Sequence, residues 1–278
     1  MPQWLKTPAG EYLLAWEQHH LDQAVADVFG FHALQLGLPE LDALEANRMP
    51  HRWLAVESTP TAEAAAVEPR APDRDVPARR ELRTATLRCH FDALPFESAS
   101  LDLVVLPHAL ELARDPHLTL REVERVLVPE GRVIVLGFNP ASLWGLRQRL
   151  GRLRRALGMG HRRDLFLPRA GEFIAYRRLR DWLRLLSFEV ESGRFGCYIP
   201  PLTSARWLAR FAWMERVGDR WWPPFGALYY IVAVKRVRGM RLVGLVRDEK
   251  RPVAVTAPAP VAATRGADQQ SRPTADID

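Results

Sequence analysis

Cysteine is scarce. Cys89 and Cys197 are the only two, far apart and without a C-x-x-C partner. That excludes a disulfide framework and a four-cysteine zinc site, and it points to a reducing compartment. Long apolar runs are missing as well. The longest useful one, Phe225 to Val234, is about half the ~20 residues that cross a bilayer. In the first twenty residues, Glu11 and Glu17 arrive before any apolar core forms, so no secretory signal is expected there. A cytoplasmic location is the expectation. No internal repeat is present. Acid is absent from one stretch: between Arg147 and Arg163 lie seven arginines (147, 149, 152, 154, 155, 162 and 163) and no Asp or Glu.

What remains is an ordinary globular composition. Of 278 residues, 47% are hydrophobic and 26% charged, enough for one large domain or two small ones with a real core. The net charge of +6 admits an anionic small molecule, an anionic membrane or nucleic acid as partner. In the arginine-rich stretch, Leu146, Leu150, Leu153 and Leu157 recur at helical spacing. That pattern suits a solvated helix or a helix lying on an anionic membrane. Aromatic residues do not interleave with these arginines, so a nucleic-acid partner is the less favoured reading.

Secondary structure follows from periodicity and punctuation. Thr7-Pro8 is a helix start, Leu14, Leu21, Val25 and Val28 follow at helical spacing, and Gly30 is a stop. His32–Gly37 and Trp53–Val56 read as short strands, with one or two helical turns between Pro39 and Met49. Ser58–Arg80 is rich in Ala, Pro and charge and reads as a flexible linker. Then come strands at Thr84–Cys89, Leu101–Leu106 and Arg132–Leu136, with a helix at His117–Leu127. A helix at Leu179–Leu186 and strands at Phe188–Glu191 and Ala227–Lys235 complete the pattern. Strands alternating with helices predict an α/β fold with a mostly parallel sheet. Between the last two strands lies a segment rich in Trp and Pro, whose tryptophans are expected to pack in core or lid.

One block is specific. Residues 91–137 hold Asp92, Leu94-Pro95-Phe96, Leu101-Asp102-Leu103, Asp115-Pro116, Arg121-Glu122-Val123-Glu124-Arg125-Val126-Leu127 and Pro129-Glu130-Gly131, in that order. This run resembles the class I S-adenosylmethionine-dependent methyltransferases of the type 11 kind. The resemblance implies a Rossmann-like α/β fold, with helices on both faces and a C-terminal antiparallel strand. It also implies S-adenosylmethionine as cofactor, with methyl transfer to a small-molecule acceptor. The domain would span 31–240, after an N-terminal helical segment at 1–30. It would include the basic helix at 141–165 and a Trp/Pro-rich insertion at 197–225, which with the N-terminal helix would cover the site. A disordered tail would follow at 251–278.

Ligands in open sheets of this kind sit outside the carboxyl ends of the strands. The resemblance therefore assigns cofactor binding to Gly37, Glu57, His90 and Asp92. Glu57 takes the place of the ribose-binding acid, and His90 that of the acid facing adenine. The family's Gly-x-Gly-x-Gly loop is reduced to Gly37, with Gln35, Pro39 and Leu41 where an acid and two glycines are usual. His108, just after the Leu101–Leu106 strand, is the candidate catalytic base. Asp102 is assigned to structure, and Arg121, Glu122, Glu124 and Arg125 to a solvated, salt-bridged helix face. Two other functions are carried alongside: an inactive binding or scaffolding protein, supported by the reduced glycine loop, and an RNA methyltransferase, supported by the arginines.

Overall fold

The computed structural model describes residues 2–58, 87–158, 167, 173–202 and 204–236. Contacts divide the chain into one unit, Met1–Val237, and a second, Arg238–Asp278, which lies outside the described residues. So do nearly all of the expected linker, the expected tail, and Arg162 and Arg163 at the end of the basic stretch.

A short helix α1 (Pro2–Leu5) precedes α2 (Pro8–Ala26). The Thr7 side chain caps α2 by accepting from the Gly10 amide, and proline occupies the first turn. Leu13, Leu21 and Val25 are buried on its inner face, while Leu14 is half-buried. Strands β1 (His32–Leu36), β2 (His51–Glu57) and β3 (Leu87–Cys89) follow. The expected helical turns between Pro39 and Met49 are non-helical turns, so β1 and β2 join without a crossover helix. After β4 (Leu101–Pro107) come α3 (Ala109–Leu112), α4 (Pro116–Val126) and β5 (Leu127–Phe138). Then α5 (Leu143–Ala156), α6 (Tyr176–Leu185) and β6 (Phe188–Gly196). Two helices that the sequence did not suggest, α7 (Ala205–Arg210) and α8 (Trp213–Trp221), stand in the Trp/Pro segment before β7 (Leu228–Lys235).

The seven strands order as β3-β2-β1-β4-β5-β7-β6. β1 runs parallel to β2 and β4, β2 to β3, and β4 to β5. β7 is antiparallel to both β5 and β6. The strand order reverses between β1 and β4, where such sheets open a crevice at their carboxyl ends.

Side-chain alternation splits the sheet between two cores. Val133 and Val135 of β5 face one core, with Leu120 and Val123 of α4 and Leu179 and Leu183 of α6. Ile134 and Leu136 face the other, with Leu21 and Val25 of α2 and Leu38, Leu41 and Leu44 of the β1–β2 connection. In place of a crossover helix, α2 and this turn-rich loop together cover that face.

The motif positions explain one another. Arg125 donates to the carbonyls of Leu94 and Phe96 at 3.0 and 2.9 Å and pairs with Glu122 at 2.8 Å. Glu122 also accepts from the Leu94 amide at 3.1 Å. The salt bridge expected on this helix face is present, and the same two residues also grip the Leu94-Pro95-Phe96 turn, so they are not merely solvated. Asp102 is structural as expected, accepting from the amides of Phe31 and His32 at 2.8 and 2.9 Å.

α5 departs from the usual burial logic. Its packed face is Trp144, Gly145, Gln148 and Gly151. A Cβ on Gly145 would lie 2.7 Å from the Pro140 carbonyl oxygen, so only glycine permits this approach. Trp144 Nε1 donates to the Ile199 carbonyl at 2.7 Å. The leucine row faces out, from 47% exposed at Leu150 to 61% at Leu157. The tryptophans also differ from expectation: Trp207, Trp213, Trp221 and Trp222 are each exposed by 51% or more.

Candidate functional site

The carboxyl ends of β1, β2 and β3, beside the crevice between β1 and β4, gather most of the residues singled out in the sequence. Gly37 follows β1 with φ +77°, a left-handed turn suited to glycine. Its amide donates to the Ala55 carbonyl at 2.7 Å. A Cβ placed on Gly37 would meet the Phe91 ring at 3.7 Å and the Ala109 methyl at 3.9 Å. The buried Phe91 ring thus lies over Gly37.

Gln35 organises the loop beyond. Its Nε2 donates to the carbonyls of Gly37, Leu38 and Leu41 at 3.1, 3.1 and 2.8 Å. Its Oε1 accepts from the Ala43 amide at 2.9 Å. One fully buried amide side chain therefore holds the shape of this loop.

The register of β2 on β3 pairs Glu57 with Cys89. This brings Glu57 to the turn after β3, where its Oε2 accepts from the Phe91 amide at 3.3 Å and its Oε1 lies 3.5 Å from His90 Nδ1. Glu57 is half-buried and His90 exposed. Asp92 is half-buried in the same turn. Burial first, and then Glu57, push the Cys89 thiol up to about 11.

His108 lies elsewhere in character. It is buried, with a left-handed backbone at φ 55°. Its Nε2 lies 2.6 Å from Glu17 Oε1 of α2, and its Nδ1 lies 2.9 Å from Glu111 Oε2 of α3. Glu111 Oε1 accepts from the Phe138 amide at 2.5 Å. Burial of the ring disfavours its charge, yet the two carboxylates outweigh burial and raise His108 to about 10. An imidazole that already holds its proton at neutral pH, with both nitrogens engaged, does not take another. In this arrangement His108 is the centre of an ion triad, and we assign no proton transfer to it.

A second carboxylate knot closes the same edge of the sheet. Glu215 of α8 accepts from the amides of Cys197 and Tyr198, each at 2.9 Å, and from the Tyr12 hydroxyl. It ties α8 to α2 and to the chain leaving β6. Asn139 likewise serves structure, donating to the carbonyls of Pro224 and Gly226 at 2.7 and 2.9 Å. Among the described residues no group of His, Cys, Asp and Glu could hold a metal ion. No helix of the described residues is long and apolar enough to cross a membrane.

Residues 42–135 match the family model for a methyltransferase domain. The fold is similar to the solved complex between the Haloferax volcanii Trm112 methyltransferase activator and a protein described as a methyltransferase. That match has a TM-score of 0.50 and 17% identity over 86% of this chain and 96% of that one. The chain has the class I methyltransferase fold. It is also 34% identical over 163 residues to the uncharacterized protein YafS of Escherichia coli (strain K12), covering 57% of this chain. The chain spans 58% of the length of that curated relative. A third likeness, at TM-score 0.49 and 15% identity, is to a Thermotoga maritima methyltransferase described as a possible histamine N-methyltransferase, over 81% of this chain and 92% of that one.

The methyltransferase fold implies S-adenosylmethionine, and the crevice can be tested for it. Glu57 fits the ribose: a half-buried carboxylate at the end of β2 can accept from two hydroxyls. The space over Gly37 is taken by the Phe91 ring. Among the loop amides, that of Gly37 is spent on Ala55 and that of Ala43 on Gln35, while Pro39 has none. Glu17 and Glu111 were not singled out from sequence, and Phe91 only as part of the His90–Asp92 stretch after a strand. Only Glu17 carried a signal, as an acid in register with Leu13, Leu21 and Val25 on the buried row of α2.

Proposed function

We propose that the chain is an S-adenosylmethionine-dependent methyltransferase acting on a small molecule. One observation carries this reading: Gly37, Glu57 and the His90–Asp92 turn sit together at the carboxyl ends of β1, β2 and β3, and Glu57 and that turn lie within residues 42–135, which match a methyltransferase domain. The bound group supplies a methyl carbon made electrophilic by its sulfonium. The protein's part is to hold and align. Glu57 would accept from the ribose hydroxyls, the turn at His90–Asp92 would flank the base, and the Phe91 ring would move off Gly37 and out of the pocket. Correct alignment alone supplies about 7–11 kcal/mol, so a general base is dispensable and His108 is free to hold α2 in place.

The ring of Phe91 over Gly37 favours a second reading, a methyltransferase fold kept for binding or scaffolding without catalysis. Calorimetry with S-adenosylmethionine separates the two. The first reading expects saturable binding that Glu57→Gln weakens about tenfold, the loss of one charge-assisted hydrogen bond of about 1.5 kcal/mol. It also expects that Phe91→Ala binds at least as tightly as the wild type. If neither the wild type nor Phe91→Ala binds, the scaffolding reading stands.

A further inference from the structure

The outward leucine row of α5 is the largest feature that the crevice does not use. Leu143, Leu146, Leu150, Leu153 and Leu157 are all close to half exposed or more. At 3.6 residues per turn they form one stripe, on the side of α5 opposite Trp144, Gly145, Gln148 and Gly151. Arg149 and Arg154 flank the stripe on its two sides, both exposed, and residues 143–158 contain no acid.

The stripe does not end with the helix. Leu143 also lines an apolar cavity of about 310 Å³ with Tyr198, Met214, Val217, Trp222 and Phe225. Trp222 and Phe225 stand at 55% exposure beside it, and Trp221 at 70%. Arg206, Arg210, Arg216 and Arg220 are exposed on the same two helices, α7 and α8. Their acids are engaged: Glu215 in the knot described above and Asp219 with Arg194 at 3.3 Å.

We propose that this face docks on an anionic lipid bilayer, with the α5 leucines, Trp221, Trp222 and Phe225 entering the interface and an acyl chain reaching the cavity. Soluble monomers rarely expose so continuous an apolar surface. An apolar row edged by cations, with tryptophans at one end, has the composition of a helix lying in the membrane interface. Arginine on both flanks gives the complement to acidic headgroups. The lack of any acid on α5 leaves a basic partner without matching groups. This docking stands whether or not the chain transfers a methyl group.

The test is co-sedimentation of the full chain with vesicles of phosphatidylcholine alone and of phosphatidylcholine with phosphatidylglycerol in equal parts. The expected result is binding to the mixed vesicles that weakens at least about tenfold when salt rises from about 0.1 to about 0.5 M. Arg149→Glu with Arg154→Glu should abolish it, and so should Leu146→Ser, Leu150→Ser and Leu153→Ser together. All five positions are exposed, and unchanged thermal unfolding would show that the variants fold. Independently of any variant, dibrominated acyl chains should quench the wild-type tryptophan emission. Failure of the wild type to sediment with mixed vesicles overturns the proposal. So does self-association in sedimentation equilibrium that the leucine variant abolishes, which would make the face a contact between copies.

Discussion

Replacing Glu17 by Gln removes one charge from the buried triad and little else. Glu17 and His108 side chains are almost wholly buried, 2.6 Å apart. The rise of His108 from 6.5 to about 10 corresponds to about 5 kcal/mol of preference for the charged ring. Two carboxylates share it, so removing one should cost about 2–4 kcal/mol, in line with breaking a buried ion pair. The pH dependence fixes the sign. A raised folded-state pKa gives stability that is fully present below about 6.5 and fades as pH climbs to about 10. Urea unfolding of wild type and Glu17→Gln, followed by tryptophan fluorescence, should therefore show the widest gap near pH 6. That gap should narrow steadily toward pH 10. A gap that stays constant across this range, or no gap at pH 6, would refute the charged triad.

Three further outcomes follow from local geometry. Asp115 caps α4 by accepting from the amides of His117 and Leu118 at 2.8 and 3.1 Å; Asp115→Ala should lose about 1 kcal/mol in chemical denaturation. Gly145→Ala would drive a methyl against the Pro140 carbonyl and should cost about 1–3 kcal/mol, read as a lower melting temperature. Both thiols should resist Ellman's reagent at pH 8 in the native protein and react on unfolding. Burial pushes Cys89 up to about 11 and holds Cys197 well above its usual range, so a fast native thiol would contradict the packing.

The strands were legible because residues 103–107 of β4 and 133–138 of β5 are buried on both faces, so these stretches read as continuous apolar runs. The start of α2 was legible because Thr7 and Pro8 each act within their own turn. α5 shows where such reading stops. A leucine row is the usual mark of a core face, but here the core face is built from two glycines, a glutamine and one tryptophan. Close approach of backbones leaves no hydrophobic signature in the sequence. The crevice behaved the same way. Glu57 and His90 met because parallel register carries strand ends to one edge, which the strand assignments already implied. Phe91 reads as an ordinary apolar residue until its ring is seen over Gly37. Glu17 announced that it needed a partner, but the partner is 91 residues away and nothing local names it.

That separation has a consequence for how the molecule is made. α2 is complete before β4 and α3 have been synthesised. At 5–20 residues per second, Glu17 waits roughly 5–20 s for His108 to emerge from the ribosome. Through that interval Leu21 and Val25 lack Leu103 and Val105 of β4, which share their core. The Glu17–His108 contact that pins α2 cannot form until β4 has been made.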